Sequence, residues 1–173
     1  PEAYFDPIQT DEIEDWPEGP KVQAESAIVM DTYTGAVLYG KNIDEKQYPA
    51  SITKIMTTLV AVENNDLEDT VTISKNAIEG TAVEGSSNAG LSEGEKLTVE
   101  QCLMAVMLAS ANEAAYAIAE KTSGNLKKFV ELMNQRAREL GCTNTHFNNA
   151  NGLPDEKHYT SAHDMALIAS AAW

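Results

Sequence analysis

The 173 residues carry 27 Asp and Glu against 12 Lys and Arg, a formal net charge of −15, with 43% hydrophobic and 23% charged residues. This is globular rather than disordered composition at a length that suits one domain, and so few scattered cations argue against nucleic acid and against electrostatic docking on anionic lipid. The longest apolar run, Cys102 to Ala109, is too short to cross a bilayer. No signal peptide is visible, and the start at Pro1 rather than Met reads as that of a mature or trimmed product, which leaves the compartment open.

Residues 1–21 read as an acidic, proline-rich lead-in. Glu2, Asp6, Asp11, Glu12, Glu14, Asp15 and Glu18 fall here with four of the six prolines, and the expectation is a solvated or loosely draped arm. Two strand-like runs, Ala24 to Met30 and Ala36 to Tyr39, then flank Asp31-Thr-Tyr-Thr-Gly35, which predicts a β-hairpin with Gly35 at a positive φ. From Ser51 the apolar residues Ile52, Ile55, Met56, Leu59 and Val60 recur at helical spacing. Residues 64–98, broken by Gly80, Gly85, Gly90 and Gly94, read as loops with one short helix near Ser74 to Glu79. One helix is predicted from Val99 to Lys121 and another from Leu126 to Leu140, closed by Gly141. Asn144 to Tyr159 reads as loop, and Ser161 opens a last helix. A single hairpin followed by helices is an unfinished sheet, because two strands seldom stand alone.

Cys102 and Cys142 have neither metal-ligand spacing nor nearby histidines, so both are expected as buried, unpaired thiols. His146, His158 and His163 are scattered and read as structural, Asp155 and Glu156 as solvated, and no metal or cofactor signature is present.

Two short patterns carry chemistry. In Ser51-Ile-Thr-Lys54 the i, i+3 spacing puts both side chains on one helix face, where a partly desolvated Lys54 can activate the Ser51 hydroxyl. Alone this is weak, since about one chance Ser-x-x-Lys is expected in a chain of this length. Ser-x-Asn occurs three times. Ser86-Ser87-Asn88 is explained by turns and Ser123-Gly124-Asn125 by a helix C-cap. Ser110-Ala111-Asn112 directly follows the apolar run, where two polar side chains cost stability unless they have partners, so Ser110 and Asn112 are the candidates.

Pro49-Ala-Ser-Ile-Thr-Lys54 resembles the nucleophile motif of penicillin-binding proteins and serine β-lactamases, and Ser110-Ala-Asn112 their second motif. Asp31 to Leu38, Ser110 to Ala115, Asn144 to Phe147, Asn151 to Pro154 and Tyr159 to Ala166 add to the resemblance, in order, over residues 22–173. The pattern is most similar to the D-alanyl-D-alanine carboxypeptidases, the low-molecular-mass penicillin-binding proteins. That resemblance implies an α/β (α+β) domain of the β-lactamase/transpeptidase-like fold, here its N-terminal part. It implies Ser51 as nucleophile, Lys54 as base, kept neutral by burial near other cations or apolar walls, Ser110 as proton relay and Asn112 as holder of Lys54 and substrate. The implied partners are the peptidoglycan pentapeptide and β-lactam antibiotics, in an extracytoplasmic location. DD-endopeptidase, β-lactamase and a non-catalytic peptidoglycan-binding fragment are the alternatives.

Ala111 stands where the family has glycine, and its third motif, Lys-Thr-Gly, is absent from these residues. Lys121-Thr122-Ser123 sits at a helix end and is expected to be a decoy. The expectation is that the chain stops before the third motif, that a companion chain or a missing C-terminal segment completes the sheet, and that residues 1–173 alone have no carboxypeptidase activity.

Overall fold

Asp31 shapes the first turn of the structure, a computed structural model that describes residues 13–173. Its Oδ1 accepts from Thr34 N at 2.7 Å, Thr34 Oγ1 at 2.7 Å and Tyr33 N at 3.1 Å, and Gly35 takes φ 73°. The Thr34 bonds hold the Asp31 carboxyl below the usual carboxylate range. The turn joins β1 (Ala27–Met30) to β2 (Val37–Lys41) in an antiparallel pair with Ile28 opposite Gly40 and Val29 opposite Tyr39. The hairpin therefore forms as expected. Residues 1–12 of the lead-in lie outside the described residues; beyond them, Trp16 donates its indole N–H to Leu38 O at 3.3 Å.

After a 3-10 turn at Ala50–Ile52, α1 runs over Thr53–Asn64. A second antiparallel pair follows, which the sequence reading missed: β3 (Thr70–Thr72) against β4 (Lys96–Thr98), with Val71 opposite Leu97. Three-residue strands leave no period-2 signature, and these two meet only across α2 (Lys75–Glu79) and the glycine-rich loop.

The helix expected from Val99 to Lys121 is two helices. Thr98 and Gln101 close a capping box on α3 (Val99–Leu108), and α4 spans Asn112–Ser123. Ser110 between them has φ 54° and Ala111 is extended. Neither Gly nor Pro marks this break, because its cause is tertiary. The Asn112 N–H, which a continuous helix would give to Leu108 O, goes to Ser87 O at 3.1 Å. Gly124 at φ 83° ends α4, α5 covers Leu126–Glu139 with Gly141 at φ 86° beyond it, and Ser161 caps α6 (Ala162–Ala172) by accepting from Asp164 N.

Two buried clusters form the core. One gathers Val71, Ile73, Val99, Val106 and Ile118, and the other Met56, Val60, Phe129, Met133, Phe147 and Ile168. Helix α1 lies between them, placing Ala61 in the first and Met56 in the second, and touches α3, α4, α5 and α6. Cys102 belongs to the first cluster and Cys142 to the second; both are free, and burial pushes each thiol up to about 12.

Candidate active site

Ser51 is exposed in the 3-10 turn that leads into α1, where the backbone adopts uncommon geometry. Ala50 has φ 49°, in the left-handed region that costs a non-glycine residue about 1 kcal/mol or more. Gly152, at φ 87°, lies directly against that peptide: a Cβ there would fall 1.8 Å from Ala50 O and 3.0 Å from Ser51 N. The Asn151-Gly152 turn therefore fits over the Ser51 backbone only with glycine at 152.

One turn on, Lys54 is 2% exposed. Its Nζ donates to Asn151 O at 2.7 Å, to Asn112 Oδ1 at 2.8 Å and, at a longer 3.4 Å, to Ser51 Oγ. Burial lowers its pKa from 10.5 to about 8, against the opposing charge of Glu113. Of the two causes expected, other cations or apolar walls, burial does the lowering, and the nearby charge, Glu113, is negative and opposes it. An amine with a pKa near 8 is partly neutral at physiological pH, so it can accept a proton from the hydroxyl beside it.

Three of the four candidate residues thus meet at one ammonium. Ser51, Lys54 and Asn112 are joined through Nζ, whereas Ser110 sits on the strained turn before Asn112 with its Oγ buried and without a hydrogen-bond partner. Lys121 lies about 14 Å further along α4 from Asn112. It pairs with Asp69 at 3.0 Å, while Thr122 and Ser123 bond back to Ile118 O and Ala119 O. That triplet is a helix end, as expected.

The loop 144–160 supplies what the reading of residue types left out. It is stitched to α1 by three buried polar side chains, Lys54 to Asn151 O, Thr57 Oγ1 to Ala150 O at 2.7 Å, and Thr53 to His158. His158 Nδ1 accepts from Asn148 N at 3.0 Å, which assigns the proton to Nε2, so the ring donates to Thr53 Oγ1 at 2.8 Å. Burial holds this imidazole down at about 4 and therefore neutral. Asn149 Oδ1 accepts from Gly152 N at 2.7 Å and Asn151 N at 3.2 Å, which shapes the turn. A backbone carbonyl carries no residue-type signal. The available clue was the Asn-Gly dipeptide, which calls for a positive φ.

The profile of the D-alanyl-D-alanine carboxypeptidase family matches residues 13–173. The chain belongs to this family. It is 44% identical over 152 residues to D-alanyl-D-alanine carboxypeptidase DacF of Bacillus subtilis, covering 85% of this chain and 38% of that protein. It is 40% identical over 159 residues to DacA of Escherichia coli, covering 88% and 40%. Among solved structures, penicillin binding protein 6B from Escherichia coli superimposes with a TM-score of 0.85 at 32% identity, covering 92% of this chain and 53% of that one. The Streptomyces K15 DD-transpeptidase superimposes with a TM-score of 0.84 at 35% identity, covering 90% and 63%. The fold is that of these DD-peptidases, and the chain spans about two fifths of the length of the two carboxypeptidases, DacF and DacA. Among the described residues no cluster of His, Cys, Asp or Glu is arranged to hold a metal, and no helix is long and apolar enough to cross a membrane.

Proposed function

We propose that this chain carries the nucleophile half of a serine D-alanyl-D-alanine carboxypeptidase that trims peptidoglycan stem peptides on the outer side of the cytoplasmic membrane. The observation that carries the reading is the Lys54 amine, buried, lowered to about 8, and bonded at once to Ser51 Oγ, Asn112 Oδ1 and Asn151 O.

In this reading neutral Lys54 takes the Ser51 proton as Oγ attacks the carbonyl of the penultimate D-alanine. The Ser51 N–H, which a side chain at position 152 would crowd, donates to the developing oxyanion. Collapse breaks the peptide bond, and the departing amine takes a proton relayed through the Ser110 hydroxyl. Terminal D-alanine leaves and the acyl group stays on Ser51. Water then attacks the acyl carbon, giving its proton to the again-neutral Lys54, and the shortened peptide leaves as Ser51 Oγ takes that proton back. Asn112 keeps the Lys54 nitrogen in place throughout. β-Lactams acylate Ser51 as mimics of the D-Ala-D-Ala bond.

Likeness to the Streptomyces K15 DD-transpeptidase favours a second fate for the acyl group, capture by an amine instead of water. The two share every step up to the acyl-enzyme.

These 173 residues contain no Lys-Thr-Gly, the motif the family places on a later strand. The test therefore uses the chain joined to the Lys-Thr-Gly region of a relative such as Bacillus subtilis DacF. D-Alanine release from a diacetylated Lys-D-Ala-D-Ala peptide, lost in Ser51→Ala, supports the reading, and added amine acceptors separate hydrolysis from transfer. Release that survives Ser51→Ala refutes it.

A further inference from the structure

The first turn of α4 is used on two sides. Asn112 gives its side chain to Lys54 and its backbone N–H to Ser87 O. The next residue, Glu113, reaches the same loop. Its Oε1 accepts from Ala89 N at 2.7 Å and, at a longer 3.5 Å, from Leu91 N. Glu113 is 3% exposed, its Oε2 is buried with no hydrogen-bond partner, and it lines a cavity of about 210 Å³ with Ile78, Thr81, Ser86 and Leu91. A buried carboxylate oxygen left unpaired carries its full desolvation cost. An apolar side chain here would avoid that cost, and the catalytic steps above make no use of Glu113.

We propose that Glu113 is a positioning residue of the site: its carboxylate ties the Ser86–Leu91 loop to the first turn of α4 and so fixes where the Asn112 side chain meets the Lys54 amine. The proposal rests on the reading of Ser51 and Lys54 as nucleophile and base. Ser87, Ala89 and Leu91 form one continuous strip of loop, and all three bond to residues 112 and 113. The strip secures a turn that needs securing, because Ser110 beside it holds φ 54°. It also explains why the helix breaks there, since Ser87 O takes the N–H that would have continued it.

The carboxylate has a second effect through its charge. Glu113 opposes the desolvation that lowers Lys54. Several titratable groups on the surrounding elements are already paired, hydrogen-bonded or neutral. On α3, Cys102 is pushed up to about 12. On α5, Arg136 pairs with Glu63 at 2.7 Å. On α6, Asp164 accepts from Thr143, Asn144 and Thr145, and in the long loop His158 sits at about 4. Glu113 is thus the charge whose removal Lys54 feels.

Glu113→Gln keeps an acceptor for Ala89 and removes the charge; Glu113→Ala removes both. In the 173-residue chain, amide hydrogen exchange at Ala89 and Leu91 reads the tie, and the titration of ¹³Cε-labelled Lys54 reads the charge. Glu113→Ala is expected to speed exchange at both amides about tenfold or more. Glu113→Gln is expected to leave Ala89 protected and to move the Lys54 midpoint down by about one unit. In the chimera with a Lys-Thr-Gly region, Glu113→Ala is expected to slow acylation by benzylpenicillin about tenfold or more. Unchanged exchange at both amides in Glu113→Ala overturns the proposal. Should Glu113→Ala not fold, Glu113→Leu, which fills the same space and accepts no hydrogen bond, is read by the same exchange and decides. Exchange and titration need no turnover, so an unmodified chimera that fails to acylate counts against Ser51 and Lys54 and not against the tie.

Discussion

Glycine 152 shows how little room the site leaves. Its φ of 87° and the 1.8 Å approach of a would-be Cβ to Ala50 O mean that any side chain must push the Ser51 peptide away. Gly152→Ala is therefore expected to destabilise the chain by about 2 kcal/mol or more, from left-handed strain and the displaced turn, and to lower acylation by about 10²-fold. Urea unfolding and penicillin-labelling rates check the two halves separately. At Lys54 the sign is set by a base that works when neutral. Acylation should rise with pH and level off above a midpoint near 8, and Lys54→Ala should lose about 10²-fold or more. A midpoint near the ordinary lysine value of 10.5 contradicts the role of burial. Ser51, Lys54 and Asn112 are legible in the sequence through an i, i+3 pair that is weak alone, a polar break after an apolar run, and the resemblance of both motifs to the family's. Asn151 contributes a carbonyl and Glu113 looks like any helix-surface acid, so their parts became visible only in three dimensions.

Among elements, the long loop holds α1 through neutral histidine, which makes stability depend on pH. His158 titrates near 6.5 when unfolded and at about 4 when folded. As pH falls from 6.5 to 4 the unfolded chain takes up a proton that the folded chain resists. Stability should thus be full above 6.5 and drop by about 3 kcal/mol on reaching pH 4. His158→Gln should flatten that part of the curve, and urea midpoints between pH 4 and 7 measure it; an identical slope in the variant removes His158 as the cause. The elements themselves were unevenly legible. The hairpin, α1, α5 and α6 follow from turn residues, apolar spacing and caps at Ser161 and Gly141. The α3–α4 break and the β3–β4 pair do not, because each depends on a partner distant in sequence: Ser87 for one, Leu97 against Val71 for the other.

At the scale of the molecule, α1 is the axis on which core and chemistry meet. Its apolar residues enter both clusters, and its buried polar residues Thr53, Lys54 and Thr57 receive the loop that forms one wall of the site. Damage to the second cluster should therefore reach the site. Phe129→Ala, at a fully buried position, is expected to cost about 3–5 kcal/mol and to release Lys54 toward its ordinary pKa as α1 loosens, both measurable on the 173-residue chain by denaturant unfolding and lysine titration. The central claim is that Ser51 is the nucleophile and Lys54 its base. Its most direct test is the site and pH dependence of the benzylpenicillin adduct on the chain joined to a family Lys-Thr-Gly region, read by mass on tryptic peptides. The account predicts the adduct on the peptide Gln47–Lys54, forming with a midpoint near pH 8 and absent in Ser51→Ala; an adduct on the peptide that contains Ser110, or one that persists in Ser51→Ala, contradicts it.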